Sequence, residues 1–240
     1  MIDAKFVGEI IEYLMDQKID KQEFLDERGK RLREEGVLNL LLAANCLAEV
    51  RNRTTIAPIA TQLLEALKKE VEKEFPYEFD PKAAAAIVTA IATVWQDALQ
   101  CLNWLKSCIQ LDSSSFVRQS AVHAIAQNWK DHPDTLPMLK QWATSDDDAD
   151  VRGAAVQELS NGWKNDPEIF ELLCDRTLND PFERKEKWED NPRQTALKAI
   201  IKQRPDSPQT LSLLRDRADN DSDEKLRKFA KKKLEKWNRN

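Results

Sequence analysis

The chain has 240 residues, 41% of them apolar and 33% charged, enough for a packed interior beneath a well-solvated outside. Five glycines and ten prolines are few for the hairpins of an all-β protein of this length, and helix formers dominate, so the class is all-α. A net charge of −5 argues against nucleic acid as partner, and no stretch reaches the ~20 apolar residues of a membrane span.

The N-terminus has no basic segment leading into an apolar one, so a secretion signal is not expected. Cys46, Cys101, Cys108 and Cys174 form no CxxC pair and read as small buried hydrophobes of a reduced, cytoplasmic protein.

In chain order, the first element is an amphipathic helix with Phe6, Ile10, Ile11 and Leu14 on its apolar side. A charged stretch from Asp16 to Glu35 precedes an apolar helix from Leu38 to Val50, ended around Arg51 to Arg53. Thr54 to Pro58 opens another helix, with Leu63, Leu64, Leu67 and Val71 as its core residues. The segment from Phe75 to Pro81 breaks the helical pattern.

From Ala83 a repeat begins. Val117, Arg118, Ala121, Val122, Ile125, Trp129, Lys130 and Pro133 align with Val151, Arg152, Ala155, Val156, Leu159, Trp163, Lys164 and Pro167, at an offset of 34. Val88, Ile91 and Trp95 form an earlier copy. Arg193, Ala196, Leu197, Ile200 and Pro208 follow at an offset of 41, the extra seven residues falling around Pro181 to Lys187. Arg227, Ala230 and Leu234 begin a final half-copy. Each copy reads as two helices that cannot bury their apolar faces alone and must stack on neighbours. The expected architecture is one continuous right-handed α-solenoid with a period of 34 residues.

Trp95, Trp129 and Trp163, with Arg118, Arg152, Arg193 and Arg227, recur as structural positions of this repeat. Asp112, Asp146 and Asp221 each stand six residues before an Arg, which suggests a ladder of helix caps and ion pairs within or between copies. The third copy has Lys187 at that place, with Asp190 as the substitute. What varies between copies is where a partner is sought: Trp142 and Trp188 lie off the tryptophan register, and Asp146, Asp147, Asp148 and Asp150 crowd one turn. The lysine-rich end from Lys225 to Arg239 reads as the charged cap of a terminal helix.

The Val-Arg … Trp-Lys-x-x-Pro unit resembles the HEAT-like repeats at the C-terminal end of bacterial, especially cyanobacterial, NACHT-domain proteins of the STAND class. The helix from Leu40 to Val50 and the segment from Phe6 to Leu14 are similar to the stretches preceding those repeats. The resemblance implies residues 1–80 as a helical segment packing onto the array, and HEAT-like repeats at about 81–112, 113–146, 147–187, 188–221 and 222–240. It also implies a ligand- or partner-sensing region of a signalling ATPase in defence or regulation. No GxxxxGK[ST] motif is present, so the chain reads either as a sensor fragment with an ATPase domain upstream in the natural protein or as a stand-alone relative of such a fragment.

Catalysis is not expected. His123 and His132 have no second ligand at metal spacing, Ser113 to Ser115 lack the G-x-S-x-G elbow, and the Asp146–Asp150 run lacks the Gly and distal Glu of a calcium loop. No cofactor is implied. Two rival readings share the general repeat pattern. One is a HEAT-like DNA glycosylase acting on alkylated bases from a basic groove, and the other is a bilin-lyase-like HEAT protein. The acidity of the chain counts against the first, and the absence of the Trp-Lys-x-x-Pro mark from such lyases counts against the second.

Overall fold

The structure, a computed structural model, describes residues 3–17, 27–72, 81–111 and 114–237. Twelve α-helices and one short 3-10 turn account for the regular structure among these residues, which contain no strand. The fold is all-α and of the α-solenoid type, with successive helices pairing and stacking on their neighbours within each of two units. Two compact units divide the chain, residues 1–129 and 130–240.

The first unit holds α1 (Ala4–Asp16), α2 (Glu27–Ala48), the 3-10 turn (Thr54–Ile56), α3 (Ala57–Glu72), α4 (Pro81–Val94), α5 (Leu99–Leu111) and α6 (Ser115–Asn128). α2 packs on α4 and α4 on α6, while α1, α3 and α5 lie against this row. Its core is aliphatic, with Ile11, Leu47, Leu63, Leu67, Ile87, Ile91, Leu105 and Ile125 out of contact with water. Arg53 closes the turn before α3 by donating to the backbone carbonyls of Val50 and Val94. The buried face of α1 is set by Val7 and Ile11; Phe6 is 60% exposed, so it is not part of that face as the sequence suggested. The expected charged stretch falls partly outside the described residues; its latter part, from Glu27, begins α2.

The second unit holds α7 (Thr135–Ser145), α8 (Ala149–Gly162), α9 (Pro167–Asn179), α10 (Pro192–Gln203), α11 (Pro208–Asn220) and α12 (Glu224–Trp237). α8 packs on α7, α9 and α10; α11 packs on α9, α10 and α12. Three of these helices start alike, with proline at the head and a polar cap before it. Asp166, Asn191 and Ser207 accept from the N–H two residues on, at 2.9, 2.9 and 3.3 Å. α7 differs: Pro133 lies in the turn ahead of the helix, and the His132 carbonyl accepts from Thr135 N–H at 3.0 Å.

Trp129 and Trp163 end their helices in nearly the same conformation, φ −123° and ψ 35° against φ −124° and ψ 34°. Each donates its N–H to the carbonyl four residues back, as does Trp95. The helix stops because the backbone at the tryptophan leaves the helical region, so no further bond of the ladder can form beyond it. Trp129 is buried, while Trp95 and Trp163 are half-buried.

Candidate functional site

The second unit repeats one polar device at its helix ends. Arg152 is buried and makes a two-pronged ion pair with buried Asp180, Nε to Oδ2 at 2.8 Å and Nη2 to Oδ1 at 2.9 Å. Its remaining amine donates to the carbonyls of Asp146 and Asp147 at 2.9 and 3.0 Å. Arg193 does the same one step on: both prongs reach Asp221 at 3.0 Å, and Nη1 reaches the carbonyls of Asp180 and Phe182 at 2.7 and 2.8 Å. Arg227 donates to the carbonyls of Asp221 and Ser222. Burial alone would lower the Arg152 pKa, but hydrogen bonding and proximity to Asp180 raise it above its ordinary value.

The aspartates carry a second task. Asp146, Asp180 and Asp221 each accept the N–H two residues on, at 2.9, 3.0 and 2.8 Å. These turns lead to the caps of the following helices, where Asp148 accepts from Asp150 N–H at 2.8 Å and Asp223 from Lys225 N–H at 3.0 Å. The Arg carboxylate partner therefore stands 28 residues ahead, and the Asp six residues before the Arg contributes its backbone carbonyl. In the third copy this Asp is Asp180; neither Lys187 nor Asp190 fills the place.

The tryptophan register has its own stacking term. Lys130 Nζ lies over the Trp163 ring, 5.5 Å from its centroid, so the lysine of one Trp-Lys pair covers the tryptophan of the next. In the third copy Arg204 replaces the tryptophan, and its guanidinium lies on Phe170 at 3.6 Å.

The acidic turn is thus largely occupied by capping. Asp146 and Asp148 are half-buried acceptors, Asp147 is exposed, and Asp150 lies in the first turn of α8. Burial raises the Asp150 carboxyl, and the negative charges of Asp148, Asp190 and Glu189 raise it further. The last two belong to the insertion, so the structure brings the acidic turn and the insertion into one electrostatic neighbourhood. Trp142 is half-buried on α7, and no ring contact joins it to Trp188 among the described residues.

The insertion, residues 181–191, has no helix or strand, yet it is tightly fixed. Arg184 grips Asp223 with both prongs, at 3.0 and 2.7 Å, and also donates to the Glu189 carbonyl. Asn191 Nδ2 reaches the same Asp223 at 2.8 Å. Glu189 Oε2 accepts from the N–H groups of Lys185 and Glu186 at 2.7 and 3.1 Å, which pulls its carboxyl below the ordinary range. Burial pushes the Asp223 carboxyl up, but the Arg184, Asn191 and Lys225 hydrogen bonds outweigh it and bring it down to about 2. Phe182 is buried, with the guanidinium groups of Arg184 and Arg193 5.3 and 5.9 Å from its ring centroid. On this fixed loop Trp188 is 74% exposed. Arg184, Asp180, Asn191 and Asp223 are the residues that sequence reasoning missed.

Elsewhere the chemistry is quiet. The four cysteines are free; Cys101, Cys108 and Cys174 are buried, and burial pushes the thiol of Cys101 up and that of Cys174 to about 11. His132 accepts from Asp134 N–H at 3.3 Å. Among the described residues no group of three or more His, Cys, Asp or Glu is placed to hold a metal, and no helix is long and apolar enough to cross a membrane.

Stacked helix pairs whose ends are tied by repeated Arg–Asp contacts define a helical-repeat protein. Residues 62–160 match the family model of HEAT repeats, and the chain carries a HEAT-like repeat region. That match ends within α8, whereas the Arg–Asp device continues to α12. No curated protein matches the chain, and no solved structure does.

Proposed function

We propose that the chain is a non-catalytic helical-repeat binding module, the ligand- or partner-sensing C-terminal part of a NACHT-type signalling ATPase, and that its insertion loop at 181–191 is the surface that meets the partner. HEAT repeats serve in general as scaffolds for protein contacts. The observation that carries the reading is Trp188, 74% exposed on a loop anchored at both ends. Arg152, Arg193 and their aspartates are engaged in holding helix ends, whereas this large apolar ring stands mostly in solvent. Exposed tryptophans on fixed supports are favoured anchors of protein interfaces.

Affinity capture with the full chain, read by mass spectrometry against a Trp188→Ala variant, tests the loop. A partner retained by the parent and lost by the variant, at equal helicity, is the expected result; a partner held equally by both contradicts it. The ATPase part of the reading is tested by the transcript. An in-frame GxxxxGK[ST] upstream of Met1 is expected, and a stop codon directly upstream sinks it.

A further inference from the structure

We propose that the Trp188 loop receives a cationic side chain, an arginine or lysine of a polypeptide partner, on the indole ring with the carboxylates of Asp150, Glu189 and Asp190 beside it. The inference rests on the reading of this loop as the docking surface and adds the chemistry of what docks there.

Four aromatic rings within residues 130–240 have cations over them. Trp163 lies under Lys130, Phe170 under Arg204, Phe182 beside Arg184 and Arg193, and Phe229 beside Lys198 and Lys233. Trp188, like Trp142 and Trp237, has no such cation among the described residues, and of the three it is the one whose ring stands largely in solvent, where indole attracts cations more strongly than any other ring. It is also the most exposed of the large apolar side chains described.

The charges around it select the sign of the occupant. Glu189 and Asp190 follow Trp188 directly, and their negative charge reaches Asp150 in the first turn of α8, where Asp148 adds its own. Glu189 uses Oε2 to hold the loop backbone, which leaves Oε1 to face an incoming donor. The opposing charges are fewer: Arg184 is neutralised by Asp223, and Lys185 and Lys187 remain against Glu183, Glu186 and the carboxylates just named. Lys225 reaches this loop as well, but donates to the Lys187 carbonyl. An anionic partner would be repelled here, and a purely aliphatic one would cover carboxylates without pairing them. A guanidinium or ammonium satisfies both ring and carboxylates. The loop is held in advance by the Arg184–Asp223–Asn191 clasp, so little ordering is required on binding.

The test uses the full chain labelled with nitrogen-15. The Trp188 indole N–H signal is assigned by its disappearance in Trp188→Phe. A short peptide of alternating glycine and arginine is titrated at ~50 mM salt, where exposed charges are only partly screened, against the same peptide with glutamate for arginine. The arginine peptide is expected to move the Trp188 signal more than the other indole signals, and the glutamate peptide to leave it in place. The Asp150→Asn, Glu189→Gln, Asp190→Asn variant keeps the loop acceptors and is expected to bind the arginine peptide about tenfold more weakly. A Trp188 signal unmoved by the arginine peptide, or a variant that binds as tightly as the parent, overturns the inference. Equal shifts with both peptides overturn the choice of charge and leave the docking surface standing.

Discussion

The helix ends of the second unit and its insertion are fastened by the same chemistry to opposite ends. At the helix ends, Arg152 with Asp180 and Arg193 with Asp221 are buried pairs that stitch each helix pair to the next. In the insertion, Arg184, only half-buried, ties the loop to buried Asp223 at the start of α12, and so fixes a loop carrying an exposed indole. A protein that uses one device for both shows where it needs rigidity without core. The ladder rigidifies the stack, and the clasp rigidifies a display.

The largest expected effect breaks the ladder. Arg193→Ala leaves buried Asp221 with Arg217 as its remaining cation and the carbonyls of Asp180 and Phe182 without their donor, and should cost about 3 kcal/mol in urea denaturation. Replacing both members by Leu should restore little of that loss, because Asp221 also accepts from Asp223 N–H and from Arg217, which the double variant leaves without their acceptor.

Next in size is the clasp. Arg184→Ala removes a two-pronged bond that is partly exposed, so a loss of about 1–2 kcal/mol is expected, with faster amide exchange confined to residues 181–191. The same clasp predicts a pH dependence. Asp223 falls from 3.8 unfolded to about 2 folded, so its contribution is fully present above pH 3.8 and is lost as pH falls through 2. Denaturation midpoints between pH 4 and pH 2 should fall less steeply in Asp223→Asn, from a lower starting point, than in the parent.

Asp150 sharpens the comparison from the other side. Its carboxyl is raised, so its ionised form opposes folding at neutral pH and the opposition is relieved as pH falls through the raised value. Because the group is partly exposed and also sits favourably at a helix start, Asp150→Asn should change stability by no more than a few tenths of a kcal/mol, about the scale of surface charge pairs. A thermal melt checks this.

The all-α class and the helix pairs were legible because apolar residues at steps of three and four stand out, as with Val122, Ile125 and Trp129. The ladder was legible only in part. Asp and Arg six residues apart drew attention, but that Asp contributes a carbonyl, and the carboxylate partner lies 28 residues ahead, across a stacking contact that spacing alone does not show. The insertion then hid the third member: its seven residues fall between Asp180 and Arg193, so counting six back from the arginine lands on Lys187. The constant separation of 28 in Arg152–Asp180 and Arg193–Asp221 was the signal that would have found it. Trp188 stood out by leaving the register, but the clasp beneath it joins Arg184 to a residue 39 positions on and follows no local pattern.

Two tryptophans thus have opposite duties, Trp129 ending a helix inside the repeat and Trp188 standing on a held loop. Urea unfolding of Trp129→Ala and Trp188→Ala, followed by circular dichroism, tests this most directly. Trp129→Ala should lose about 3–5 kcal/mol, as buried aromatic truncations do. Trp188→Ala should stay within about 0.5 kcal/mol of the parent. A Trp188→Ala variant destabilised as deeply as Trp129→Ala would show that the exposed indole holds the fold, and would contradict the division between ladder and display.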